Sequence, residues 1–255
     1  MFSLTAEDLE VYDFKRTFLG VDVSESGWSA RELLARVSIF AELDDRGLSS
    51  LERLLKQRSY PTEAMIVGQA DPGDALFILA RGRVKVVLYG GKGREVILST
   101  FRPGEFFGEM ALLDDQPRSA NVIALEPATL YILERSAFAR HLSDHPKIAL
   151  KILAEMSRRL RRADAVIGNL ALLDVFGRVG GMIRELAHSE GQATVEGIVV
   201  RQRPTQAEMA AMIGTSRETV SRTLSEFQRR GFLEITGRRI LVRRAFLEED
   251  FEVVS

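Results

Sequence analysis

Seven apolar residues, Ala149, Leu153, Met156, Leu160, Ala163, Ile167 and Leu170, follow one another in steps of 4, 3, 4, 3, 4 and 3. A helix brings that spacing to one face, and the pattern is the a/d seam of a heptad repeat. Three heptads make a rod of ~35 Å. Two partners are open to such a stripe: the chain's own core, or a second copy of the chain. The opposite face carries Arg158, Arg159, Arg161 and Arg162, which argues against a core on both sides. The spacing therefore predicts a dimerisation helix over residues 146–173, in a homodimer.

Before Pro146 the period is different. Residues 1–30 read as an acidic extension. The stretch SARELLARVSIFAELDDRGLSSLERLLKQRSY has helical spacing as far as Tyr60, with a turn near Asp44–Gly47. From about 60 to 135, short alternating runs are punctuated by glycine, as in ALFILARGRVKVVLY, which hinges at Gly82. Several such strands in one stretch predict an antiparallel barrel or jelly roll, giving a β domain over 31–145. After the long helix, Gly177, Gly180 and Gly181 weaken helix locally and suit a hinge. The next domain is placed at 174–255, from Asp174.

Composition removes several classes of function. The 255 residues are 45% hydrophobic and 28% charged. No apolar run approaches the roughly 18 residues of a membrane span. The start, MFSLTAEDLEVYDFKR, lacks the basic-then-apolar order of a signal peptide, so a cytoplasmic location is expected. There is no cysteine, which excludes disulfides, thiolate nucleophiles and iron–sulfur ligation. The three histidines, His141, His145 and His188, all lie late in the chain. A metal-dependent β-barrel enzyme would need histidine ligands within 60–135. No metal and no enzymatic activity are expected.

The net charge of −1 conceals an uneven distribution. Between 201 and 244, ten arginines stand against four acids, which points to a polyanion. The same segment contains TQAEMAAMIGTSRETVSRTLSEFQRRGFLEI, residues 205–235. Thr205 and Glu208 form a capping box, Ala210 allows close helix approach and Gly214 makes the turn. Ser216 caps a second helix and Val220 packs inward. Thr223 stands where an apolar residue is usual, with Leu224 beside it. That is a helix-turn-helix. Arg217, Glu218, Ser221 and Arg222 then lie on the exposed face that reads base edges, with Thr219 among them. Thr205 and Gln206, at the start of the first helix, are expected at the DNA. The segment GFLEITGRRILVRR predicts a hairpin turning at Gly237, with Arg238 and Arg239 at its tip to meet phosphate.

In FFGEMALLDDQPRSANVIA, residues 106–124, an acid and a cation stand in an apolar run: Glu109 and Arg118. Buried charges are costly without partners. The two could pair with each other, or both could face a ligand.

With this stretch, the GNLALLDVFGRV segment and TSRETVSR in that order, residues 31–244 resemble the cAMP receptor protein (CRP/FNR) family of bacterial transcription regulators. The resemblance implies an α+β fold: a cyclic-nucleotide-binding β-roll, a long dimerisation helix and a C-terminal winged helix-turn-helix. It assigns Glu109 to the ribose 2′-hydroxyl, and Arg118 and Ser119 to the cyclic phosphate. Backbone amides near Gly108 and Glu109 would assist. Ser99 matches a base-contacting serine, and Leu98 and Met110 fall in the same pocket. Where cAMP receptors of this family carry a Thr-Ser pair that contacts adenine from two subunits, this chain has Ala163 and Asp164. Ala163 makes no hydrogen bond. Asp164 accepts from adenine N6 or from guanine N1 and N2. The implied effector is cAMP, with cGMP as the alternative, and cyclic di-GMP or activity without ligand as a further reading. The implied partners are a palindromic DNA operator and RNA polymerase, with no membrane association.

Overall fold

The computed structural model describes residues 28–249, so most of the acidic extension expected at 1–30 lies outside the described residues. The chain runs through α1 (Ala30–Arg36), α2 (Asp45–Glu52), β1 (Lys56–Tyr60), β2 (Met65–Val67), β3 (Ala75–Arg81), β4 (Val84–Tyr89) and β5 (Glu95–Phe101). Next come β6 (Phe106–Phe107), α3 (Glu109–Asp114), β7 (Asn121–Ala124), β8 (Ala128–Glu134), α4 (Arg135–Asp144) and α5 (Lys147–Leu172). The last third holds α6 (Val175–Glu190), β9 (Gln192–Ala193), β10 (Gly197–Val200), α7 (Gln206–Ile213) and α8 (Arg217–Arg229). It closes with β11 (Leu233–Thr236), β12 (Arg239–Arg243) and α9 (Arg244–Glu248).

Two antiparallel four-stranded sheets, ordered β1-β8-β3-β6 and β2-β7-β4-β5, share one apolar core and form the β-roll. In β3, Phe77 and Leu79 face that core. Leu76 and Ile78 face a second core made with α1, α2, α4 and the start of α5. Both faces of β3 are covered, which is why ALFIL reads as an unbroken apolar run. Gly82 turns the β3–β4 hairpin at φ 86, with Pro127 O only 2.4 Å from where a Cβ would stand. The roll begins earlier than the spacing suggested: Lys56–Tyr60 is a strand paired with Ala128–Ile132, not helix. Four of its five residues are exposed, so it buries no stripe that a periodicity could reveal. Asp44 caps α2 through the Gly47 amide, so the expected turn at Asp44–Gly47 is the helix start itself.

α5 spends its apolar residues on two faces. Ile148 and Ile152 are buried in the helical core, and Met156, expected in the seam, packs partly there too. Leu153, Leu160 and Ile167 are 62%, 63% and 64% exposed, an apolar line along the outside of the helix. The helix ends at Leu172. Leu173 is extended, and Asp174 caps α6 by accepting from the Gly177 amide. Gly177, Gly180 and Gly181 do not interrupt α6; Gly177 and Gly180 are buried within it. Close packing there offsets their poor helix propensity. The C-terminal unit encloses a third core, with α6, α7 and α8 against the sheet β11-β12-β10-β9.

The two units touch. Side chains alternate along β7, so Val122 and Ala124 face the roll core while Ile123 points outward. Ile123, Val87 and Ile97 form an outer apolar patch against which Ala211 and Met212 of α7 pack. Lys85, also buried, donates to both oxygens of Glu95 at 2.8 and 3.0 Å. An Arg102–Glu190 ion pair bridges the units nearby. An Ala211→Glu change puts a charge against that patch. It should raise the radius of gyration in small-angle scattering at unchanged circular dichroism; an unchanged radius would show that the patch does not hold the units together.

Candidate functional site

Gly108 lies between β6 and α3 in the left-handed region, at φ 86, and Glu109 opens the helix. A Cβ on Gly108 would stand 2.6 Å from Arg118 Nη1 and 3.0 Å from Ala75 O, so only glycine fits without displacement. The backbone of Arg118 is fixed in turn: its amide donates to Asp71 O, and its carbonyl accepts from the Ala70 amide. The guanidinium donates to Gly108 O from Nη1 and to Ala75 O from Nη2, both at 2.8 Å. The Asp74 carboxylate is 3.7 Å away, and the Phe77 ring centroid 5.4 Å from the guanidinium carbon. Arg118 is therefore a buried cation held mainly by carbonyls.

Glu109 is 2% exposed and does not pair with Arg118. Its Oε1 accepts from Arg159 Nη1 at 2.9 Å, and Arg159 Nη2 donates to Phe106 O at 2.7 Å. The Arg159 guanidinium also sits 4.8 Å and 5.0 Å from the rings of Phe106 and Phe101. The expectation that Arg159 lies on the face opposite the apolar seam is corrected here. It lies on the face turned to the roll, three residues beyond Met156, and is the functional residue the sequence reading missed. The signal available was its i+4 relation to Glu155, whose carboxylate it also contacts at 3.2 Å. Burial pushes Glu155 upward, but Arg158 and Arg159 bring its pKa below the usual range.

Glu109 Oε2 is buried and has no hydrogen-bond partner. Burial raises the Glu109 pKa above the ordinary value, outweighing the opposing pull of Arg159. Burial likewise lowers the pKa of Arg118, against the pull of Asp74 and Glu109. The unfilled oxygen accepts a hydroxyl and the buried guanidinium an anion, so the pair fits a ligand that offers both.

The remaining candidates are placed less closely. Ser119 is exposed next to Arg118, and Met110 is half exposed on α3. Leu98 is the extra residue of a β-bulge, since Val86 pairs with Ser99 and Val87 with Ile97. Ser99 is exposed beside it. Ala163 and Asp164 are exposed on α5. At ~100° per residue, Ala163 lies one turn beyond Arg159 on nearly the same face. Asp164 points ~140° away from Arg159, outward from its own roll. The structure thus gathers Gly108, Glu109 and Arg118, adds Arg159, and leaves Asp164 apart from them.

In the C-terminal unit, Thr205 and Glu208 cap α7 reciprocally, Gly214 turns at φ 67 and Ser216 caps α8 through the Thr219 amide. Val220 and Leu224 are in the core, and the buried Thr223 hydroxyl donates to Thr219 O at 3.0 Å. Arg217, Glu218 and Arg222 are exposed and Ser221 half-buried. The Thr219 hydroxyl lies 3.0 Å from that of Ser216. Hydrogen bonds from its own amide and from Ser216 hold Glu218 below the usual glutamate pKa. Gly237 turns the β11–β12 hairpin at φ 58 and Arg239 is exposed. Arg238 folds back on Arg203 O at 3.2 Å and on Glu208 at 3.4 Å. Arg203, Thr205, Gln206, Ala207, Arg217 and Arg238 line one cleft at the start of α7. Burial and the neighbouring Arg238 cation lower the Arg203 pKa.

A β-roll and a winged helix-turn-helix joined by one long helix define a ligand-responsive DNA-binding regulator, not an enzyme. Residues 57–145 match the cyclic nucleotide-binding domain, and residues 177–249 the Crp-like helix-turn-helix domain. A CRP-like cAMP-activated global transcriptional regulator of Mycobacterium tuberculosis is 31% identical over 211 residues, 83% of this chain and 94% of that protein. The cyclic AMP receptor protein of Thermus thermophilus is 34% identical over 206 residues, 81% and 90% of the two chains. Among solved structures, the c-di-GMP responsive global regulator CLP of Xanthomonas campestris aligns with a TM-score of 0.67 at 25% identity, covering 78% of this chain and 99% of that one. The chain belongs to the CRP/FNR family of transcription regulators, with a cyclic nucleotide-binding domain and a DNA-binding helix-turn-helix.

A raised Glu109 pKa has a defined consequence. Between 4.5 and that raised value, the folded chain keeps a proton that the unfolded chain releases, so rising pH removes stability. Glu109→Gln cannot titrate. The melting temperature of the ligand-free wild type should therefore fall relative to Glu109→Gln as pH climbs through that window. Parallel curves would mean Glu109 is not raised.

Proposed function

We propose that this regulator binds a cyclic mononucleotide, cAMP in the first instance, in the cassette of Gly108, Glu109, Arg118 and Ser119. The observation that carries this reading is the unfilled Glu109 Oε2 beside Gly108, whose carbonyl accepts from the buried Arg118 guanidinium. Glu109 would accept from the ribose 2′-hydroxyl, while Arg118 and Ser119 take the phosphate. Leu98, Ser99 and Met110 would wall the base. Arg159 belongs to the same pocket, since it already holds Glu109.

The exposed line Leu153, Leu160, Ile167 and Leu170 supports a homodimer joined along α5. In that dimer Ala163 faces its own cassette and Asp164 the partner's. Asp164 accepts from adenine N6 for cAMP, or from guanine N1 and N2 for cGMP. The likeness to a c-di-GMP responsive regulator, together with Ala163 and Asp164 replacing hydrogen-bonding residues, favours cyclic di-GMP as the second reading.

On DNA, Arg217, Glu218, Ser221 and Arg222 read base edges of a palindromic operator. Arg203, Thr205, Gln206, Arg238 and Arg239 meet phosphate, which relieves the crowding of Arg203 and Arg238. Ligand would shift the population of DNA-competent dimers. RNA polymerase is the expected downstream partner. No helix among the described residues is long and apolar enough to cross a membrane, and the proposed compartment is the cytoplasm.

Calorimetric titration with cAMP, cGMP and cyclic di-GMP tests the effector. Wild type should bind cAMP and gain melting temperature, whereas Arg118→Leu should stay folded and gain none. If Asp164→Ala loses cGMP affinity and keeps cAMP affinity, guanine is the base Asp164 reads. Binding of cyclic di-GMP alone establishes the second reading.

Leu160→Asp places a charge at the centre of the apolar line in both protomers. Sedimentation of this variant should show a monomer; an intact dimer would place the interface elsewhere.

A further inference from the structure

α3 is six residues long, too short to hold its own shape in water, yet it carries Glu109. Its last carbonyls have no partner within the helix, and the chain leaves through Asp115 in the left-handed region, at φ 56. The group that meets those carbonyls comes from α4. Arg135 donates from Nη2 to Ala111 O at 2.6 Å and to Gly73 O at 2.5 Å. Its Nη1 reaches Leu112 O at 3.4 Å and pairs with the Asp115 carboxylate. Its amide donates to Asp74 O at 2.7 Å. A guanidinium suits this place because it offers several donors in a fixed fork and its charge complements the negative end of a helix.

The Gly73–Ala75 segment that Arg135 holds is also the frame of Arg118, which donates to Ala75 O and lies near Asp74. Gly73 presses so closely on α3 that a Cβ there would stand 2.0 Å from the Ala111 Cβ. One side chain thus joins the helix that carries the acid to the segment that holds the cation, through hydrogen bonds to Ala111, Leu112, Asp115 and Gly73.

We propose that Arg135 is a positioning residue for the effector: it sets the spacing of Glu109 and Arg118 and hence the affinity for a cyclic nucleotide. This rests on the reading of Glu109 and Arg118 as the ligand cassette. The test compares wild type, Arg135→Gln and Arg135→Lys by amide hydrogen exchange without ligand and by calorimetry with cAMP. Exchange in residues 109–115 should quicken several-fold in both variants, with α8 unchanged. Affinity for cAMP should fall roughly 10-fold or more, the scale of lost charge-assisted hydrogen bonds. Lysine should restore only part, since a point charge cannot span several carbonyls. Adding Arg135→Gln to Glu109→Gln should cost little beyond Glu109→Gln alone, the non-additivity of a residue that acts through another. Fully additive losses, or unchanged exchange in 109–115, would overturn the proposal. If wild type binds no cAMP, the effector reading fails separately, and the exchange measurement still decides whether Arg135 holds α3.

Discussion

Burying Glu109 obliges the fold to bring a cation to it, and α5 supplies that cation. The Glu109–Arg159 pair fixes the long helix in rotation as well as in position. Turning α5 by one residue would swing Arg159 ~100° off the roll and leave an acid uncompensated in the interior. Removing one partner of such a pair typically costs about 3–5 kcal/mol. With that rotation fixed, Ile148 and Ile152 must face the helical core, and Leu153, Leu160 and Ile167 must face away. The pocket and the outward apolar line are set by the same contact.

The parts of the fold that were legible are those whose causes lie close together in sequence. Thr205, Glu208, Gly214, Ser216 and Val220 act over one or two helical turns, so their types and spacing identify the helix-turn-helix without reference to anything distant. Gly82 marks a hairpin for the same reason. Arg159 was illegible as the partner of Glu109 because the two are 50 positions apart, and its i+4 relation to Glu155 points only to a pair within the helix. Counting apolar positions marked the stripe on α5, but Met156 fits both its outward line and the helical core, and only packing separates the two. The strand Lys56–Tyr60 was missed because its polar side chains lie in solvent while backbone pairing with β8 holds it. Glu109 and Arg118 stood out as charges in an apolar run. Whether they met each other was undetermined until backbone carbonyls took up Arg118.

In the C-terminal unit the arginine excess is not spread evenly. Arg229 and Arg230 pair with Glu226, Arg238 with Glu208, and Arg243 with Glu234. The Glu226 and Glu234 pairs lie at the far end of α8 and on the β11–β12 hairpin, while Arg238 lines the same cleft as Arg217. Arg217 and Arg222 stay exposed at the start of α8, the end that a recognition helix inserts. Glu226 and Glu234 thus quench arginines away from that end, while Glu218 sits between Arg217 and Arg222 within it.

Strand β7 leaves the cassette directly: Arg118 is five positions before Ile123, the residue that lies beneath α7. All four β7 residues are buried, and the strand is flanked by β2 and β4 on both sides. Such a segment has no slack. Only Ser119 and Ala120 separate Arg118 from this strand, and Ile123 within it is the seat of the DNA-reading unit. The buried cation and the surface on which α7 rests therefore share one short stretch of chain.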